Sequence, residues 1–219
     1  MVQVRQMHEW VVTEEEAVAI QLRLRSQVAV GDDHGPVRRV AGLDVAYRDP
    51  DTAVGVVTVL DAASLTMLDQ AVVRERIDFP YISGLFAFRE VPALTRALEK
   101  LTVEPDALVC DGHGLAHPRR FGLAAHLGVL TGLPSIGVAK NSYGEFSAPG
   151  PDRGDWRPVT ADGEIVGRVL RTQRGVKPVF VSVGHRFTLD SACDLVLRLA
   201  PRYRLPETTR TADHLGRIS

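Results

Sequence analysis

Two short links limit what this chain can build. RDPDTA (48–53) and DAAS (61–64) are rich in turn-forming residues, and they separate three strand-like segments, Val37–Tyr47, Ala53–Leu60 and Thr66–Ile77. A parallel crossover needs a dozen or more residues, so links this short force the three strands into an antiparallel meander.

The pattern then changes. Leu85, Phe88, Val91, Leu94 and Leu98 recur near helical spacing, which predicts a helix from about Gly84 to Leu101. DALVCD (106–111) is a short apolar run bounded by turn residues, the mark of a buried parallel strand. A helix over roughly Phe121–Leu130 and a second buried strand at Ser135–Val138 follow. Residues 140–155 read as a long polar loop, ahead of strands near Ile165–Arg171 and Val179–Val183 and a helix over Leu189–Leu199. Upstream, residues 8–27 read as a helix with Thr13 as N-cap and three glutamates in its first turn, and GDDHGP (31–36) as a loop. Three antiparallel strands followed by helix, strand, helix, strand is the order of a ribonuclease-H-like α/β fold, a mixed sheet flanked by helices. A chain of 219 residues fits a single such domain over 1–219.

Bulk composition removes several alternatives. Cys110 and Cys193 stand far apart, in neither a zinc pattern nor a disulfide framework, which favours a reducing compartment. Met1–Glu16 has no apolar core of a secretion signal, and no run approaches a membrane span, so a cytoplasmic protein is expected. No GxGxxG string links a strand to a helix, which argues against a dinucleotide-binding dehydrogenase. Residues 1–150 hold 14 basic and 19 acidic side chains, and residues 151–219 hold 12 and 8. A basic flank beside an acidic core suits a protein that holds a polyanion over metal ions, though scattered solvated charge gives the same count.

Some carboxylates are misplaced for a purely structural role. Asp44 interrupts VAGLDVAY, a segment that otherwise reads as a buried central strand. Aspartate is depleted in strands, and buried alone it costs several kcal/mol, so a positive partner is expected beside it. Asp111 ends the apolar strand ALVC, at the edge where open α/β sheets place ligands. Glu90, early on the following helix, and Asp213, on a terminal helix, are ordinary surface acids when read singly. Together the four can converge at one end of the sheet, and hard oxygen clusters suit Mg²⁺ or Mn²⁺. Lys140, closing SIGVAK, supplies a cation for a phosphate or a developing oxyanion.

These residues stand in five strings: VAGLDVAY (40–47), FPYISGLFAFRE (79–90), LVCDGHGLAHPRRFGLAAHLG (108–128), SIGVAKN (135–141) and YRLPETTRTAD (203–213). In order and spacing they resemble the signature blocks of the endonuclease V family. The resemblance implies a repair endonuclease acting on deoxyinosine in DNA, and on inosine in RNA as a further substrate class. It would cut the second phosphodiester bond 3′ of the lesion, leaving 3′-hydroxyl and 5′-phosphate ends. By the same resemblance Asp44 and Asp111 are the main ligands of Mg²⁺, with Mn²⁺ as substitute, and Glu90 contributes to the site. Lys140 acts near the scissile phosphate and His117 contacts the DNA. The C-terminal residue of the site is Asp213 or its neighbour His214, with Asp213 preferred for its spacing from Arg210.

Pro80, Tyr81, Ile82 and Ser83 match the family's wedge, which enters where the lesion base leaves the stack; Tyr81 offers a flat face to exposed bases. The family pattern ends this wedge in proline, and here Ser83 leaves the backbone freer. Gly84, Gly112, Gly114 and Gly122 are candidates for a pocket in which backbone approaches the base closely. A backbone N–H aimed at position 6 would favour hypoxanthine, which has an acceptor oxygen where adenine has a donor. Arg119, Arg120, Arg168, Arg171, Arg174 and Lys177 are candidate phosphate contacts. A monomer is expected. Another ribonuclease-H-like nuclease, or a silent nucleic-acid-binding module, are the alternatives; the first would not need the PYISG wedge, and the second would gain nothing from crowded acids.

Overall fold

The computed structural model describes all 219 residues. In chain order the elements are α1 (Glu14–Leu24), β1 (Arg39–Asp49), β2 (Thr52–Asp61), β3 (Met67–Arg76), α2 (Ala87–Glu99), β4 (Ala107–Cys110), α3 (Leu123–Thr131), β5 (Ser135–Ala139), β6 (Glu145–Phe146), β7 (Trp156–Ala161), β8 (Glu164–Leu170), β9 (Val179–His185), α4 (Leu189–Leu199) and α5 (Glu207–Ile218). The strands form one sheet in the order β3-β2-β1-β4-β5-β9-β8-β7-β6. β4 runs parallel to both β1 and β5, and every other neighbouring pair is antiparallel. The expected meander is therefore present as β1–β3, and the mixed ribonuclease-H-like sheet with it.

Both faces of the sheet centre are covered, which is why β2, β4, β5 and β9 read as nearly continuous apolar runs rather than alternating ones. On one face Leu43, Val57, Leu108 and Cys110 pack against Val91, Leu94 and Leu98 of α2 and Leu127 of α3. On the other, Val109, Ile136 and Val181 pack against Leu195, Val196 and Leu199 of α4, while Val54 and Val56 meet Ala212 of α5. Gly42 lets α5 lie directly on β1: a Cβ there would sit 2.2 Å from the Thr208 backbone. Thr58 Oγ1 donates to the Thr208 carbonyl at 3.1 Å, fixing the same end of the helix.

Two expectations need correction. The first helix begins at Glu14, not near residue 8, and ends in a 3-10 turn over Arg25–Gln27. Thr13 does cap it, in a reciprocal capping box with Glu16. Residues before the cap instead run as a strap over α2 and α3: Arg5 N–H donates to Leu130 O at 2.9 Å, and His8 and Trp10 stack on Phe88 and His126. Tertiary packing of these aromatic residues outweighs their helix-compatible spacing.

The second correction concerns residues 140–161. The expected polar loop contains β6, and β7 follows it unforeseen, with Arg157 and Pro158 obscuring the strand pattern. Pro158 lies near the sheet's rim, in the last strand but one, where a missing N–H is tolerated. The usable signal was Asp162–Gly163. Both residues are left-handed, at φ 53° and 78°, as a two-residue hairpin between β7 and β8 requires.

His126 is fully buried, and its Nε2 lies 2.7 Å from His8 Nε2. Burial first, and then the His8 charge, hold its imidazole well below the usual histidine range. It stays neutral in the fold while its unfolded counterpart protonates below about pH 6.5. Stability from this group is thus full above that pH and falls below it, by about 1.4 kcal/mol per pH unit, until the folded imidazole titrates. A urea titration series at pH 7.5, 6.5 and 5.5 should show a shallower acid loss in His126→Gln than in the parent; equal slopes would assign the acid sensitivity elsewhere.

Candidate active site

The parallel register of β1 and β4 builds the site. Leu43 pairs with Cys110, and the Asp111 N–H donates to Leu43 O at 3.2 Å, so Asp44, midway along β1, and Asp111, just past the end of β4, stand side by side. β5 continues the same edge, with Gly137 beside Cys110, and delivers Lys140 three residues later. Lys140 Nζ meets Asp111 Oδ2 at 2.6 Å. Glu90 faces the pair from the first turn of α2, where it is 5% exposed, and its Oε1 accepts from the Tyr47 hydroxyl at 3.2 Å. Asp213 approaches from α5, paired with Arg217 at 3.0 Å.

The electrostatics record an excess of negative charge. Burial, then Asp111 and Asp213, push the Asp44 carboxyl up to about 6 against the pull of Lys140. Burial drives the Glu90 carboxyl well above the carboxylate range, opposed by the Tyr47 hydrogen bond and reinforced by Asp44 and Asp111. Burial depresses the Lys140 ammonium, but its bond to Asp111 and the charges of Asp111, Asp44 and Asp213 outweigh this and raise it overall. Asp213 belongs to this field, whereas His214 is exposed on the solvent side of α5.

Asp44 and Asp111 on neighbouring strands, with Glu90 from α2 beside them and one ammonium bonded to Asp111 alone, are a hard-oxygen donor set short of positive charge. That chemistry fits Mg²⁺ or Mn²⁺ and not a thiolate-preferring metal. No three His, Cys, Asp or Glu side chains close a cage by themselves. Magnesium sites of the phosphoryl-transfer kind are built this way, from one or two carboxylates completed by water and substrate phosphate.

Beside the acids lies a cavity of about 400 Å³, lined by Tyr81, Ile82, Ser83 and Gly84 on one side and Asp111, Gly112, His113, His117 and Gly122 on the other. Gln21, Phe86, Ala87, Leu123, Asn141, Ser142 and Tyr143 complete its wall. Tyr81 stands 73% exposed at the rim, edge-on to Phe86 with ring centroids 6.0 Å apart. The structure thus gathers Ile82, Ser83, Tyr81, Gly84, Gly112, His117 and Gly122 around one space. Pro80 lies outside it, exposed at the start of the wedge. Gly114 also lies outside, because it packs on β9, where a Cβ would stand 2.0 Å from Val183 O.

Sequence reasoning missed His113, Tyr143 and Gln21. His113 lies within the DGHG string and was open to notice; its buried Nδ1 has no partner, and burial lowers the imidazole to about 4. Nothing in the sequence marks Gln21, a glutamine on an amphipathic helix. The cations also differ from expectation. Arg119 turns inward onto Gln21 and Gly84 O, Arg120 pairs with Asp162 and Glu164, and Arg168 pairs with Asp190 over the Trp156 ring. Arg171 binds the carbonyls of Gly150, Pro149 and Val176, and Arg174 pairs with Asp152. Lys177 alone of the six makes no such tie.

The endonuclease V family model matches residues 22–214. The chain belongs to the endonuclease V family. It is 55% identical to endonuclease V of Streptomyces avermitilis over 213 residues, 95% of this chain and 93% of that one. The crystal structure of endonuclease V from that organism superposes with a TM-score of 0.92 at 52% identity, covering 100% of this chain and 96% of the other. The Bacillus subtilis structure gives 0.91 at 32% identity, covering 99% and 96%. Endonuclease V of Ciona intestinalis, in complex with a 24mer DNA containing an inosine followed by a ribo-adenosine, gives 0.82 at 28% identity, covering 93% and 96%. As an endonuclease V family member the chain is an endonuclease of ribonuclease-H-like fold.

Charge repulsion at such a site is a cost that the metal-free protein carries. In EDTA at pH 7.5, Asp44→Asn should be more stable than the parent by about 1–3 kcal/mol. The gain is largest above about pH 6, where the parent's Asp44 is ionised, and disappears as pH falls below the unfolded carboxylate value of 3.8. Denaturant midpoints measure it, and a less stable Asn variant would show that the carboxylate is satisfied within the fold.

Proposed function

We propose that this endonuclease hydrolyses the second phosphodiester bond 3′ of deoxyinosine in DNA, leaving 3′-hydroxyl and 5′-phosphate ends, with inosine-containing RNA as a second substrate class. The observation that carries the reading is adjacency: a cavity of about 400 Å³, rimmed by an exposed tyrosine, opens directly onto Asp111 and the carboxylate cluster. A base lifted from its stack and held there brings its own 3′ backbone toward the acids. The Ciona intestinalis relative, crystallised with an inosine-containing DNA, supports the same assignment.

Asp44 and Asp111, with Glu90, would hold Mg²⁺, or Mn²⁺ in its place. Bound there, such an ion would activate water and stabilise the leaving oxygen in an in-line phosphoryl displacement. Lys140, fixed by Asp111, presents its ammonium where charge develops on the phosphate. Asp213 adds negative charge from α5 and keeps the ion pair of Arg217 at the same edge. Tyr81 stacks where the base departs, and the cavity wall excludes water from the base edge. A donor facing position 6 favours the deaminated base, because adenine would oppose donor to donor. The two buried, unpaired thiols Cys110 and Cys193 support a reducing, cytoplasmic setting, and no helix is long and apolar enough to cross a membrane. The working unit is taken to be a monomer.

The test is cleavage of an end-labelled strand carrying one deoxyinosine in Mg²⁺, beside an adenine strand and an inosine-containing RNA. One nick at the second 3′ bond of the deoxyinosine strand is expected, absent with adenine and with Asp44→Ala. Lys140→Ala should slow the single-turnover rate by about 100-fold. Equal cutting of adenine and deoxyinosine strands would make this a general nuclease, and no cutting in Mg²⁺ or Mn²⁺ would leave a binding module.

A further inference from the structure

The wedge ends in a tight turn whose geometry is explicit. Leu85 N–H donates to Ile82 O at 3.0 Å, and Gly84 has φ 78° while Ser83 stays in the ordinary negative-φ region. That is a type II turn with Ser83 at its second position and Gly84 at its third. Proline pre-sets the second position of such a turn and glycine the third. Here only the glycine is present, so the chain itself holds the turn from one side.

The other constraint comes from outside. The Gly84 carbonyl accepts from three side chains: Gln21 Nε2 at 3.0 Å, His117 Nε2 at 2.9 Å and Arg119 Nη2 at 2.6 Å. His117 and Arg119 belong to the loop that follows Asp111, so they tie the wedge to the catalytic edge. Gln21 is the one donor from a different element. It is 0% exposed on α1, among Ala17, Ile20 and Leu24. Its amide nitrogen also donates to Phe121 O at 3.2 Å, and its amide oxygen accepts from Arg119 Nε. His117 is held in turn: its Nδ1 accepts from the Arg119 N–H at 3.2 Å, so its Nε2 carries the proton given to Gly84. An apolar side chain would satisfy the packing of α1 at this position. A buried glutamine with every polar atom committed indicates a requirement for orientation.

We infer that Gln21 is a positioning residue: through the Gly84 carbonyl and Arg119 it fixes the wedge against the cavity, and so sets how strongly the enzyme prefers a lesion strand over an undamaged one. The inference rests on the substrate reading proposed above. Gln21 touches neither the scissile phosphate nor the carboxylates, so its loss should act on lesion engagement and spare the chemical step.

The experiment measures single-turnover cleavage of deoxyinosine DNA against enzyme concentration, with melting temperatures and binding of undamaged DNA alongside. Gln21→Met should raise the half-saturating concentration about tenfold, the effect on the wedge of Gly84 O losing one of its three donors, with the limiting rate within about twofold of the parent. Binding of undamaged DNA should not change. Ser83→Pro, which closes the second turn position, should restore half-saturation in the Gln21→Met background. Should Gln21→Met fail to fold, Gln21→Glu serves: it keeps an acceptor for Arg119 but sets an oxygen against Gly84 O, and must show the same loss. Parental half-saturation in either folded variant overturns the inference. So does a parallel fall in limiting rate and melting temperature that Ser83→Pro does not correct, the signature of a merely structural role. If the parent itself ignores deoxyinosine, the substrate reading fails and takes the inference with it; a selective parent with equally selective variants sinks the inference alone.

Discussion

The hydrogen bonds between β1 and β4 carry Leu43 and Cys110 side by side, and so oblige Asp44 and Asp111 to leave the sheet at the same level. Two carboxylates at that spacing repel, and the surrounding apolar strands make the repulsion worse by keeping water away. The rest of the site can be understood as elements brought to bear on this pair. β5 brings Lys140, α2 brings Glu90 with Tyr47 donating to it, and α5 lies on Gly42 so that Asp213 reaches the same edge. A fold that spends stability on crowding acids has to recover it elsewhere, and the doubly covered sheet centre does so.

Much of this architecture was legible because its signals are local. The short links force the β1–β3 meander, the apolar run of ALVC marks a buried strand, and an aspartate within a strand pattern marks the edge where the acids gather. The elements that escaped are those whose pattern is overwritten. In β7, Arg157 and Pro158 hide a strand that the Asp162–Gly163 turn should have disclosed. In residues 8–13 helix-compatible spacing loses to aromatic packing on Phe88 and His126.

Within the site, the acids could be named from sequence, but the roles of the surrounding residues could not. Gly114 and Gly122 look alike in the DGHGLAHPRRFG string, yet one packs on β9 and the other lines the cavity. Arginines that suggest phosphate contacts are mostly internal ties, because a guanidinium with five donors is as useful for gathering loop carbonyls as for holding a backbone phosphate. Composition counts charge and cannot tell these uses apart. Gln21 is the sharper case, since a buried amide differs from a surface amide only in what surrounds it.

The two ends of the nine-stranded sheet have a further consequence. β6 is only two residues long, and β3 carries Asp69, Arg74, Glu75 and Arg76 along its length. A long, flat, apolar border would template the addition of strands from neighbouring chains; a stub at one side and interleaved charges at the other do not. The nine-stranded sheet can therefore be wide and still offer other copies of this chain no seam on which to grow.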